Sequence, residues 1–270
     1  MRKALLVVTL LGACDRGEPA IVPVDPFAGI ELATVPEPLA EVPAAKVVIT
    51  SKSAIAIDGK TVVPITNGKP APSELEGGEH GRKLLHLQPA LTASHDEVLV
   101  LAVDRATPYR LLVDEMFTAK SKPVAIRRFA IVAAVKGTHA RTALMLNLPE
   151  MRPAAAGALV PAGAGAAATA PLRLIVTETA DELRVWSLDG GEGTLEEPAL
   201  RVAHSDPDAA NKVRSALAAI VKRRFDGHLP KDEREIVFMA ADAEPAATFI
   251  PVMAAMHAVV PDIVLSSGFE

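Results

Sequence analysis

Val98-Leu99-Val100-Leu101-Ala102-Val103-Asp104 and Ile236-Val237-Phe238-Met239-Ala240-Ala241-Asp242 are two apolar runs of equal length, each ending in an aspartate. Apolar residues in a row, without polar alternation, predict a central strand buried on both faces. A short loop follows each run. Pro108 and Pro245 then stand at the first turn of a helix, where proline lacks only a donor that would be unpaired anyway. Leu112, Val113 and Met116 follow the first proline, and Phe249, Ile250 and Met253 follow the second at the same spacing. Counted from the aspartates, the second loop is one residue shorter. The recurrence marks an internal repeat.

Working outward, each copy opens with a predicted hairpin. In the first, Val47-Val48-Ile49-Thr50 is followed by Ala54-Ile55-Ala56-Ile57, and Asp58-Gly59 turns the chain into Thr61-Val62-Val63. In the second, Leu172 to Val176 is followed by Leu183-Arg184-Val185-Trp186. Alternation and β-branched content favour strands, and Asp-Gly favours a tight turn. A helical stretch comes next. It is weak around Arg82 to Leu91, where Gly77, Gly78 and Gly81 suggest a mobile loop. It is clear after Asp208, a candidate cap, with Val213, Leu217, Ile220, Val221 and Phe225 at helical spacing and Lys212, Arg214, Lys222 and Arg223 outward. Strands near Ala125 to Ala133 and Asp262 to Ser266 close the copies. The predicted fold class is α/β of the α+β type: two tandem β-β-α-β-α-β domains, each a mixed sheet with two helices on one face.

The flanks read differently. Met1-Arg2-Lys3 precedes ten apolar residues, Ala4 to Ala13, which is half of what a spanning helix needs. A basic start and short apolar run fit a secretory signal over 1–13. Residues 14–45 and 149–171 carry dense proline, or alanine, glycine and proline, and read as spacer and linker. The globular stretches are then 46–148 and 172–270. Gly163 to Ala168 spells G-x-G-x-x-A, but Pro161 stands where the preceding strand should be, so no dinucleotide site is predicted.

Composition narrows the function. The chain has 270 residues, a net charge of −5 and only 3% aromatic residues. Scattered Lys and Arg give no electrostatic footprint for nucleic acid, and few rings are available for stacking ligands. One cysteine excludes an internal disulfide and a thiolate metal cage. His80, His86, His95, His139, His204, His228 and His257 form no metal-binding motif by spacing, so neither metal nor cofactor is predicted. No nucleophile elbow or phosphate loop occurs. Asp114-Glu115 and Glu196-Glu197 are adjacent carboxylates, which diverge rather than converge on a substrate. A non-enzymatic role is the expectation.

Leu11-Gly12-Ala13-Cys14 resembles the lipobox of bacterial lipoproteins, which implies cleavage before Cys14 and its acylation. Asp15 resembles the acidic residue associated with retention in the inner membrane. Asp104-Arg105-Ala106-Thr107-Pro108-Tyr109 with Leu111, Leu112, Val113 and Met116, and Ile55 to Val63 with its Asp-Gly turn, resemble the periplasmic domain of the ExbD/TolR family. The second copy resembles it more loosely, with Ala243 after Asp242 and Ala246 in place of Tyr109. The resemblance implies a periplasmic module that pairs, as a homodimer or between its two domains. It further implies binding to a channel subunit of the ExbB/TolQ type or to peptidoglycan, in biopolymer transport or energy transduction. Asp104, Arg105 and Tyr109 are the binding candidates by that resemblance. Taken alone, Asp104 reads rather as a helix-capping or turn residue, and Tyr109 as a half-buried core residue with a wet hydroxyl, than as binding residues. The proton-carrying acid of the family's spanning helix has no counterpart here, so proton coupling by this chain is not expected. The alternatives are a small-molecule-binding lipoprotein of a transport system and a structural spacer.

Overall fold

The computed structural model describes residues 27–92, 97–148, 151–153, 159–161, 173–230 and 234–266. In the first half the elements are β1 (Thr34–Val35), β2 (Val47–Thr50), β3 (Ala54–Ile57), β4 (Lys60–Thr66), β5 (Lys69–Pro70), β6 (Leu75–Glu76), β7 (Lys83–Leu84), α1 (Leu87–Thr92), β8 (Val98–Val103), α2 (Tyr109–Lys120), β9 (Arg128–Val135) and β10 (Arg141–Asn147). A small hairpin, β11 (Met151–Pro153) and β12 (Leu159–Pro161), lies within the predicted linker. The second half contains β13 (Leu174–Glu178), β14 (Glu182–Ser187), β15 (Leu200–Ala203), α3 (Ala209–Phe225), β16 (Glu235–Ala240), α4 (Ala246–His257) and β17 (Asp262–Leu265). The class is mixed α+β.

Both halves build one 13-stranded mixed sheet, ordered β15-β14-β13-β16-β17-β10-β9-β8-β2-β3-β4-β5, with β1 beside β9. Where separate sheets were expected, β10 joins them by pairing in parallel with β17, Leu146 to Ile263 and Asn147 to Val264. The joining strand, β10, extends beyond the strand predicted to close the first copy. It is an antiparallel return of β9. The Asp58-Gly59 turn has φ of 51° and 74°, the left-handed pair that lets a two-residue turn follow the twist of β3 and β4.

The apolar runs sort by face. Leu99, Leu101 and Val103 join a core that includes Leu112 and Met116 of α2 and Phe249 and Met253 of α4, whereas Val100 and Ala102 join a second cluster on the opposite face. The segment from Phe27 to Ala45 covers that opposite face at its two ends, while its middle, Ala33 and Val35, turns into the first core. Phe27 is buried there, and Ile30, Leu32 and Val42 pack against the cluster. This revises the spacer reading of 14–45 for its second part: the prolines suit an extended chain that crosses a sheet without ladder donors. Thr142 holds it, its Oγ1 accepting from the N–H groups of Leu39 and Ala40 at 2.7 and 3.1 Å. The cover lies over the first half, so β16 departs from expectation. Ile236, Phe238 and Ala240 are buried, but Val237 and Met239 are only half-buried.

The helices follow their apolar spacing. Val213, Leu217, Ile220 and Val221 of α3 are buried, and its basic residues face outward. Asp208 occupies the N-cap without a side-chain bond to the backbone; its Oδ1 accepts from Asn211 instead, at 2.7 Å. Pro108 and Pro245 sit at the N-cap positions of α2 and α4, one residue before the predicted first turn. The glycine-rich stretch before α1 is closely folded: a Cβ on Gly81 would lie 2.2 Å from the Glu76 carbonyl oxygen. Among the described residues no helix is long and apolar enough to cross a membrane.

Candidate functional site

Cys14, Asp15 and Gly163 to Ala168 lie outside the described residues. The other candidates are close in sequence but point to three environments. Asp104 is 4% exposed at the end of β8. Its Oδ1 accepts from the Ala106 N–H at 3.0 Å and its Oδ2 from the Glu31 N–H at 3.1 Å. It therefore fixes the turn and ties down the covering segment. Arg105 is exposed and pairs with Glu31 at 2.9 Å, a contact of small energetic weight in water. Tyr109 is fully buried, more than its sequence suggested. Its ring meets Phe238 and Phe249 edge-on at 5.8 and 5.3 Å. Its hydroxyl lies 3.1 Å from the Phe238 carbonyl oxygen and 2.7 Å from that of Ser266. Burial, reinforced by the charge of Asp242, pushes the phenol well above its ordinary range. Tyr109 belongs to the first half but completes the core of the second.

The two Pro-helix units meet at this point. The Tyr109 N–H donates to the Glu244 carbonyl at 2.7 Å, and the Ala246 N–H donates to the Thr107 carbonyl at 2.8 Å. The Arg110 N–H donates to the Asp242 carbonyl at 3.1 Å, and the Ala247 N–H to the Arg105 carbonyl at 2.8 Å. Shifting either half by 137 residues (109 to 246) turns each bond into its mate. The same shift carries β8 onto β16 and α2 onto α4 without a gap. No residue is therefore missing from the second loop. Ala241 takes the place of Asp104, and Asp242 takes the place of Arg105.

That one-position difference puts Asp242 into a groove of ≈ 1090 Å³ beside the junction. The β4–β5 turn, Arg82, Arg110, Asp114 and Asp242 line it. Gly68 shapes the turn: its φ is 74°, and a Cβ there would lie 2.9 Å from Pro108 Cγ. Arg110 organises the floor. Its Nε donates to Asp114 at 2.7 and 3.0 Å, its Nη1 to Asp242 Oδ2 at 3.3 Å, and its Nη2 to the Gly81 carbonyl at 3.1 Å. Burial pushes Asp114 up to about 6 against the opposing pull of Arg110 and Arg82. Asp242 Oδ1 is buried and has no hydrogen-bond partner. A buried acceptor left open costs free energy. With Arg82 and Lys69 at the rim, the groove offers complementary sites for an ammonium or amide donor and for a carboxylate.

The spacing of Asp114 and Glu115 was legible as divergence, and they do part: Glu115 turns into the core, where Thr50 Oγ1 donates to its Oε1 at 2.7 Å. Two groupings escaped the sequence. Asp242 joins the i,i+4 pair of Arg110 and Asp114 only because the halves dock, although Asp242 stood out as a strand-ending acid. His204 showed no ligand spacing, yet it lies between Glu178 and Glu244, three residues able to present ligand atoms to one ion. Compared with known proteins, the chain matches no family model, no curated protein and no solved structure.

Proposed function

We propose that this chain is a lipid-anchored, non-catalytic binding module on the periplasmic side of the cell envelope. It is built from two ExbD/TolR-like β-β-α-β-α-β units that pair within one chain and engage peptidoglycan, or a channel subunit of the ExbB/TolQ type, through the junction groove. The observation that carries this reading is the set of four backbone bonds about Pro108 and Pro245, related by one offset. An internal pseudo-dimer of repeated units produces such reciprocity, in which each contact recurs with the halves exchanged. The groove chemistry supports the ligand class. Arg82 and Lys69 suit the carboxylates of a stem peptide, and Asp242 suits its amine and amide donors.

Co-sedimentation of the full-length chain with purified sacculi, and pull-down with channel-subunit homologues, test the proposal. Retention by one of them, weakened by Asp242→Asn, is expected; retention by neither overturns it. Membrane fractionation tests the anchor. Cys14→Ala should release the chain, and unchanged partitioning would remove the lipid from the account.

A second reading is favoured by a specific observation. The halves share one apolar core, in which Tyr109 packs on Phe238 and Phe249, so the groove between them is held in fixed shape. A fixed cleft suits a small-molecule-binding lipoprotein. A thermal shift with zwitterionic amino acids or dipeptides, without retention on sacculi, would favour that reading.

A further inference from the structure

The second half carries a polar cluster that the junction groove does not use. Glu178 ends β13, His204 directly follows β15, and Glu244 lies in the loop before α4. Glu178 is 1% exposed and Glu244 7%, whereas His204 keeps a partly open edge. One ligand atom from each residue lies within 4.8 Å of the others. Glu178 Oε1 is 3.6 Å from His204 Nδ1, and His204 Nε2 is 3.5 Å from Glu244 Oε1.

Those gaps are too long for hydrogen bonds, which close at about 2.7–3.2 Å. The gaps fall on opposite ring nitrogens, only one of which can ligate a given ion; either one alone is near the spacing of about 3.4 Å between neighbouring ligands on a tetrahedral ion with bonds of about 2.0–2.2 Å, and the third ligand has to close in from within 4.8 Å. Two atoms of the cluster, Glu178 Oε2 and His204 Nδ1, are buried with no hydrogen-bond partner. Among the described residues, neither carboxylate is ion-paired to a lysine or arginine. The buried Glu178 Oε2 and His204 Nδ1 lack a partner, and an ion in the cluster supplies one. Thr248 Oγ1 lies 2.7 Å from Glu244 Oε1, a contact of the kind that orients a metal-ligating carboxylate.

The first half lacks this cluster. Thr50 and Thr107 stand at the positions of Glu178 and Glu244: Thr50 pairs with Val103 as Glu178 pairs with Ala240, and the Thr107 and Glu244 carbonyls accept the two reciprocal junction bonds. The carboxylates are therefore a property of the second half alone, not of the repeat.

We propose that Glu178, His204 and Glu244 form a binding site for one divalent transition-metal ion of the zinc class, with solvent at the open fourth position beside His204. An imidazole and two carboxylates suit zinc. Calcium needs six to eight oxygens and magnesium a near-octahedral, largely hydrated shell, neither of which three side chains supply. The ion ties β13 and β15 to the loop whose Glu244 carbonyl accepts the Tyr109 N–H, and so braces the junction.

Equilibrium dialysis of the full-length chain against Zn²⁺, with metal counted by mass spectrometry, tests the site. We expect one tightly held equivalent and a rise in Tm on Zn²⁺ addition. Glu178→Gln and His204→Gln should lose both, while their Tm in chelator stays within a few degrees of the parent. Thr248→Val should weaken binding by about tenfold, as loss of an orienting contact does. Mg²⁺ and Ca²⁺ should not compete. No saturable Zn²⁺ binding by the parent chain would overturn the proposal and leave an imidazole between two carboxyls only. Binding undiminished in His204→Gln would overturn it equally, since the ion would then lie elsewhere. Neither result bears on sacculus binding.

Discussion

Arg110 on α2 bridges the two halves: its Nη1 donates to Asp242 Oδ2 at 3.3 Å while its Nε holds Asp114 at 2.7 Å. One guanidinium thus serves two carboxylates and a carbonyl from three separate segments. Arg110→Ala leaves buried Asp114 with only the longer Arg82 contact at 4.0 Å, and a buried charge stripped of its main partner is destabilising. A loss of about 2–3 kcal/mol is expected in urea unfolding at pH 7. Arg110→Lys should recover only part of it, because an ammonium cannot reproduce the planar fork. An unchanged midpoint for Arg110→Ala would show that the bridge contributes nothing.

Glu115 sets a pH dependence. Burial, with the nearby Asp114 charge, pushes its carboxyl up to about 8 from an ordinary value of 4.5. The folded chain then holds a proton that the unfolded chain has released. Stability from this group is fully present below pH 4.5 and is lost as pH rises toward 8. Glu115→Gln keeps the acceptor for Thr50 and removes the titration. It should match the parent at pH 4 and exceed it at pH 8 by on the order of 4 kcal/mol. Parallel stability curves for the two proteins across that range would contradict the assignment.

Tyr109 links its own half to the core of the other. Tyr109→Phe keeps the ring contacts but takes the hydroxyl donor from the Ser266 carbonyl oxygen, while the Phe238 carbonyl keeps the Ser266 N–H, at a cost of about 1–2 kcal/mol. Tyr109→Ala empties a fully buried site and should cost about 3–5 kcal/mol. Thermal unfolding of both variants distinguishes a hydroxyl-led contact from a packing-led one.

The shared sheet predicts that the halves associate without a covalent link. Chains broken between Gly165 and Ala166 and co-expressed should co-purify as a one-to-one complex, held by the β10–β17 pairing, the junction bonds and the common core. Tyr109→Ala in the first fragment should weaken the complex. Separate elution of the two parent fragments on size exclusion would refute a fixed docking.

Several elements were legible because their cause is local. The apolar run of β8, the Asp58-Gly59 turn and the helical spacing of α3 each depend on residues within a few positions. Local pattern also gave the recurrence of proline and three apolar positions in α2 and α4. It misjudged the register, because Asp104 and Asp242 look equivalent as letters. Backbone pairing instead equates Asp242 with Arg105 and sends its carboxylate into the groove.

Sequence alone determined the types of the strongly patterned elements, the recurrence of the Pro-helix pattern and the charge balance. Tertiary structure alone decided the rest. It decided that Phe27 to Ala45 covers a sheet face, that β10 and β17 merge the halves, that Tyr109 crosses between cores, and that His204 stands between Glu178 and Glu244. The physical reason is common to all four. Each joins residues far apart along the chain, and such contacts are set by which faces must be buried together once the elements exist.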